Sequence, residues 1–154
     1  MSLHDALDLA WQDLCSAEGF DPAERLQARL AVLNDPQALT ATVYRAEDDD
    51  PDAEEQDLGE AKVLFQGPFS LPAHWTTLEK DEYLDGAELK DFYLALIECE
   101  AKPSAKDFFV ADIGDYLAVV DETTGQIRMY FVHDYEEDNQ GRRCVLIEDH
   151  IDEL

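Results

Sequence analysis

Positive charge is scarce in this chain. Eleven Lys and Arg stand against 37 Asp and Glu, a formal net charge of −26 with a pI near 4.1. Nucleic-acid phosphates and anionic lipid repel such a surface, so direct nucleic-acid binding and membrane association are not expected. No stretch approaches the ~18 apolar residues of a membrane-spanning helix, and the N-terminus shows no basic segment followed by an apolar run. Glycine is scarce too, seven in 154 residues. There is no Walker loop, no Gly-x-Gly-x-x-Gly and no Gly-x-Ser-x-Gly, so phosphate cradles and a nucleophile elbow are missing. Cysteine is limited to Cys15, Cys99 and Cys144, odd in number and far apart. Without a Cys-x-x-Cys or His-x-x-x-His pair, neither a zinc site nor any other metal or cofactor is expected. Buried free thiols and a cytoplasmic location are the reading.

What is present is an ordinary apolar share, 45% of the chain, enough to build a core beneath the acids. At this length a single domain over residues 1–154 is expected. Residues 1–77 hold 16 acids and 4 bases, and residues 78–154 hold 21 and 7, so no tail owns the charge. Such acidity fits a basic protein partner, nucleic-acid mimicry, or a housekeeping protein of a salt-adapted organism. Mimicry would need carboxylates gathered on one face, because duplex DNA carries a charge about every 1.7 Å of axis.

The pattern along the chain predicts an α+β fold: an N-terminal helical hairpin, then a further helix packed on a C-terminal antiparallel β-meander. Ser2 can cap a first helix with Leu3, Leu7, Ala10, Leu14 and Cys15 on one face and Gly19 as its stop. A second helix opens at Asp21 with Pro22 at its first position and Glu24 completing a capping box. Strands are expected over Leu39–Arg45 and Lys62–Gln66. Asp85 and Glu88 read as the cap of a third helix running to about Ala101, with Leu89, Phe92, Tyr93, Leu96 and Ile97 on its buried face. Strands follow at 108–113, 116–121, 126–135 and 143–148, joined by short turns at Gly114-Asp115, Thr123-Thr124-Gly125 and Asn139-Gln140-Gly141.

Between the first two strands, residues 47–60 hold nine acids and no base, predicting a solvated, mobile loop. Its alternating Asp48, Asp50 and Asp52 imitate a calcium loop, but the turn glycine would fall at Ala53 and the bidentate glutamate at Gly59. Val63-Leu64-Phe65-Gln66-Gly67-Pro68 resembles the cleavage site of a rhinovirus-type cysteine protease. An engineered insertion would explain it, and so would a natural strand closed by a Gly-Pro turn.

Abundant carboxylates single out no acid–base pair. His133-Asp134 is the His–carboxylate neighbour of note, but strand alternation places the two on opposite faces. No catalytic residue is assigned, and an enzyme is not the expectation. Binding is: the expected first contacts are Glu47, Asp48, Asp49, Asp50, Asp52, Glu54, Glu55 and Asp57 of the loop, with Asp134, Glu136, Glu137 and Asp138.

Two segments resemble proteins of the SUKH superfamily. Gly114-Asp115-Tyr116-Leu117-Ala118-Val119-Val120-Asp121, then Gly125 through the strand ending at His133-Asp134, is similar to that family's hairpin. Leu71-Pro72-Ala73-His74-Trp75, at the start of residues 71–78, resembles its Leu-Pro-x-x-aromatic entry to a helix. The family's Asn-Gly-Gly-like turn has no counterpart here. The resemblance implies an α+β fold and, as for many bacterial members, an immunity protein that neutralises a toxin by binding it. With the charge and the missing catalytic motifs, the expectation is an acidic bacterial immunity protein or antitoxin engaging a basic protein.

Overall fold

The computed structural model describes residues 9–46 and 55–149. Two helices come first, α1 (Leu9–Glu18) and α2 (Pro22–Leu33), followed by strands β1 (Leu39–Arg45) and β2 (Gln56–Pro68). Helix α3 (Thr77–Leu84) and a 3₁₀ turn (Leu89–Asp91) lead into β3 (Phe92–Cys99), and β4 (Tyr116–Val120), β5 (Ile127–Asp138) and β6 (Gly141–Asp149) complete the chain.

The six strands close into an antiparallel barrel in the order β1-β2-β3-β6-β5-β4. Closure comes from β1 and β4, which pair from Thr40↔Val120 to Tyr44↔Tyr116 and leave no open sheet edge. Small side chains make so narrow a barrel possible. Ala41, Val43, Ala61, Val63, Ala95, Leu117, Val132, Cys144 and Leu146 are all fully buried in its interior cluster. Alternation along each strand sends these residues inward and their neighbours outward.

This architecture overturns the expected helical hairpin on a C-terminal β-meander. The two N-terminal helices do form, the first over Leu9–Glu18, its expected Ser2 cap with Leu3 and Leu7 lying outside the described residues. But they lie against a closed barrel to which the N-terminal strands β1 and β2 contribute. The expected helix over 85–101 is instead the 3₁₀ turn and strand β3. Leu89, Phe92, Tyr93, Leu96 and Ile97 do have helical spacing, yet Phe92–Ile97 is also an unbroken apolar run, the pattern of a strand covered on both faces. Ala95 and Ile97 face the barrel core, while Phe92 and Glu98 on the other face are buried beneath other elements. Asp85 ends a helix rather than starting one: it is the left-handed C-cap of α3 (φ 49°), donating its N–H to Asp81 O at 3.1 Å. The true start is the capping box of Thr76 and Glu79.

Residues 108–113 are not a strand either. Phe109 and Ala111 are buried, closing the end of the barrel where β5 passes into β6. Arg142 Nε donates to Ala111 O at 2.7 Å and Arg45 Nη2 to Val110 O at 3.0 Å. The acidic stretch is shorter than 47–60, because β2 starts at Gln56 and pairs with β1 from there.

Helix α2 is pinned at its start. Asp21 accepts from the N–H groups of Ala23 and Glu24, as its place before Pro22 predicts. The other half of the expected capping box is replaced by contacts to the β5–β6 turn. Asp21 N donates to Asn139 Oδ1 at 2.8 Å, and Gln140 Nε2 donates to Glu24 Oε1 at 2.8 Å. In that turn Gly141 has φ 130°, and a Cβ there would sit 3.3 Å from the Leu96 side chain.

Candidate functional site

Four of the eleven bases, Arg25, Arg29, Arg142 and Arg45, are taken up in ion pairs at one end of the barrel, and the first three are buried. Arg25 and Arg29 lie one turn apart on the face of α2 that also carries Leu26, and all three are buried. Arg25 Nη2 reaches Glu98 Oε2 at 2.6 Å and Arg25 Nε reaches Glu137 Oε2 at 3.0 Å. Arg29 approaches Glu98 at 3.5 Å and donates to the carbonyls of Cys99 and Ala101. Arg142 completes the network, 2.5 Å from Glu137 Oε1 and with its guanidinium 3.7 Å from the centre of the Tyr135 ring. Trp11 lies beneath both α2 arginines, 5.6 and 5.7 Å from their guanidinium carbons. Burial pushes the Glu98 carboxyl above its usual range, with Arg25 and Arg29 pulling against it. At the same end of the barrel, Arg45 makes two bonds, 2.8 and 2.9 Å, to the carboxylate of Asp115, which is 1% exposed.

Arg25 and Arg29 thus seam α1 and α2 to the barrel through Trp11, Glu98 and Glu137, Arg142 holds Glu137 from the barrel side, and Arg45 clamps the loop before β4. Setting aside these four arginines with Glu98, Glu137 and Asp115 leaves 34 acids against seven bases in the rest of the chain. That remainder is more one-sided than the composition as a whole.

The expected contact acids divide into three groups. Glu47, Asp48, Asp49, Asp50, Asp52 and Glu54, including the calcium-like alternation, lie outside the described residues. Glu55, Asp57 and Glu136 are exposed. Asp138 is exposed as well, at the β5–β6 turn, where its hydrogen bond from Arg143 lowers its carboxyl pKa. Glu137 is half-buried between Arg25 and Arg142, and Asp134 accepts from the Tyr83 hydroxyl at 3.0 Å.

His133 and Asp134 do not obey simple alternation. The β5–β6 register runs Val132↔Leu146 and then Asp134↔Val145, leaving His133 unpaired in a β-bulge. Val132 and Tyr135 both belong to the barrel core, so the two residues between them share the outer face. There they meet Tyr83 at the end of α3. His133 Nε2 lies 2.6 Å from Tyr83 O, and the His133 ring contacts Tyr83 and Phe92 edge-on at 4.8 and 5.4 Å. Phe69 stacks on Tyr83 and Trp75 meets it at a tilt. Burial first, then the bond to Asp134, raises the Tyr83 phenol pKa, so it donates as a neutral hydroxyl. The His-carboxylate pair therefore latches the 69–91 excursion to the barrel wall. The bulge left no sequence signal, since it depends on how β5 registers against β6.

At the opposite end from Arg45 and Asp115 the barrel is open. A cavity of about 380 Å³ lies there among Leu39, Phe65, Tyr93, Val119, Asp121, Arg128 and Tyr130. Phe65, Tyr93 and Tyr130 pack on one another at 5.2 to 6.1 Å between ring centres. The sequence held a hint of it, aromatic residues near strand ends, but not that three strands would bring them together.

The three cysteines are buried and free, as expected from their apolar settings. Burial pushes the Cys15 thiol up to about 11 and the Cys144 thiol up to about 12. Among the described residues no group of three or more His, Cys, Asp or Glu is arranged to hold a metal ion, and no helix is long and apolar enough to cross a membrane. Val63 of the protease-site-like segment is fully buried in the barrel wall, between Leu39 of β1 and Ile97 of β3. The SUKH-like segment forms the β4–β5 hairpin. Comparison of the chain with protein-family models, curated proteins and solved structures finds no match in any of the three.

Proposed function

We propose that this protein is an acidic protein-binding module of the bacterial cytoplasm that engages a basic partner, in the manner of an immunity protein or antitoxin. The observation that carries the reading is that four of the few bases are taken up in internal ion pairs. Arg25, Arg29 and Arg142 are buried in one ionic seam and Arg45 is held by Asp115, which leaves 34 acids against seven bases in the rest of the chain. A surface of one sign speeds encounter with an oppositely charged protein and rejects nucleic acid and anionic lipid. Buried free thiols suit a reducing compartment.

The test is co-purification from source-organism lysate at about 150 mM salt, followed by reconstitution with the purified candidate. A single basic protein held in a defined stoichiometry, with an association rate that falls steeply as salt is raised, supports the reading. Equal retention of every basic protein at low salt, and of none at 150 mM, would assign the acids to solubility alone. Capture of a nucleic-acid-binding protein, released by competing duplex DNA, would favour mimicry instead.

A further inference from the structure

The open end of the barrel combines an aromatic floor with Asp121 in its lining and further acids close by. Tyr130 of β5 is 5% exposed and forms the floor with Phe65 of β2 and Tyr93 of β3. Strand polarity gathers acids at this end: Asp121 follows β4, Asp91 precedes β3, and Glu148 near the end of β6 accepts from the Tyr93 hydroxyl at 3.5 Å. Both phenols are raised in pKa, first by burial and then by Glu148. Arg128 is the base among the lining residues, close enough to Tyr130 to pull its pKa down against the effect of burial.

We infer that this mouth is the anchor pocket for an arginine or lysine side chain of the basic partner. The inference rests on the proposed function and deepens it. An arginine or lysine is apolar along its stem and charged at its tip, which matches a cup with apolar walls and carboxylates at its lip. The ring faces attract the cation as well. A cavity of about 380 Å³ accommodates one such side chain with part of its backbone. Interfaces concentrate their energy in a few residues seated in pockets of this kind, whereas acids spread over an open surface act mainly on encounter rate. Arg128 sets the selectivity: inside the cup it opposes a cationic guest, and an anionic guest would depend on it.

That opposition makes the test one of sign. Isotope-labelled protein is titrated by NMR with N-acetyl-arginine amide, with N-acetyl-glutamine amide as the uncharged control and benzoate as the anionic one. The expected result is saturable shifts at Phe65, Tyr93 and Tyr130 with the arginine probe alone. Asp121→Asn and Glu148→Gln should each weaken it about two- to fivefold, and Arg128→Gln should strengthen it by a similar factor. Benzoate binding that Arg128→Gln abolishes would overturn the inference, as would no saturable shift with any probe. Circular dichroism and the thermal midpoint of each variant check folding. Binding of an arginine-rich peptide to the same variants separates the two claims. Tight, salt-sensitive binding indifferent to every mouth substitution would sink the anchor pocket and leave the proposed function standing. Probe binding in the mouth without any affinity for the peptide would do the reverse.

Discussion

His133 and Asp134, adjacent in sequence, both hold Tyr83. The ring nitrogen of His133 lies 2.6 Å from the Tyr83 carbonyl and the Asp134 carboxylate takes the Tyr83 hydroxyl at 3.0 Å, because a bulge in β5 turns two successive side chains to one face. A regular strand would have pointed one of them into the barrel.

This latch should be separable from the barrel. Helix α3 has no buried residue of its own, so its attachment depends on Tyr83 and the rings around it. Tyr83→Phe removes one hydrogen bond to a carboxylate and should cost about 1–2 kcal/mol of local stability. His133→Ala also removes two ring contacts and should cost more. Hydrogen exchange should show amides of 77–84 losing protection while those of β1 and β4 keep theirs. Loss of protection throughout the barrel would mean that α3 is integral to the fold.

The ionic seam should respond unevenly to single and paired substitutions. Glu98→Gln leaves Arg25 and Arg29 buried without their shared carboxylate and should cost about 3–5 kcal/mol in urea unfolding. Replacing both Arg25 and Glu98 by apolar residues, Arg25→Met with Glu98→Leu, should cost much less than the two single changes added together. Additive losses would show that the pair contributes nothing by its interaction.

The thiols predict an alkaline limit. Cys144, raised by burial to about 12, keeps its proton when folded while the unfolded chain loses it near 9. The folded-state value is the higher, so this contribution is complete below pH 9 and is lost as pH rises toward 12. Denaturant midpoints should fall across that interval, and Cys144→Ala should blunt the fall. At pH 8 a thiol reagent should label none of the three buried cysteines at a rate faster than opening of the native state.

Residues 63–68 provide a native-state proteolysis probe. A protease must bind its site as a free extended strand, but Val63 and Phe65 are paired to β3 and Val63 to β1 as well. Rhinovirus-type protease should leave the folded protein intact and cut only as denaturant populates the open form. Rapid cutting under native conditions would show that this part of β2 detaches readily.

Several elements decided by one local interaction were readable in the sequence. Asp21-Pro22 starts α2, Gly19 ends α1, and β1 runs over the expected Leu39–Arg45, because caps, turns and β-branched alternation act within a few residues. The stretch from Asp85 to Cys99 was ambiguous, since its apolar run satisfies both a helical stripe and a doubly covered strand. The 76–79 capping box was present in the sequence and marks the helix that does form.

The sequence by itself determined that the protein carries a large negative charge, that its thiols sit in apolar settings, and where most turns fall. Tertiary structure alone decided that β1 closes on β4, that His133 and Asp134 share a face, and that three aromatic residues meet at the barrel mouth. It also decided the direction of the charges. Arg25 and Arg29 alternate with leucines on α2 and would pass for solvated residues, until β3 brings Glu98 from some 70 positions away to neutralise them. A buried charge is tolerated only beside its counter-charge, and the distance between such partners along the chain leaves no local trace.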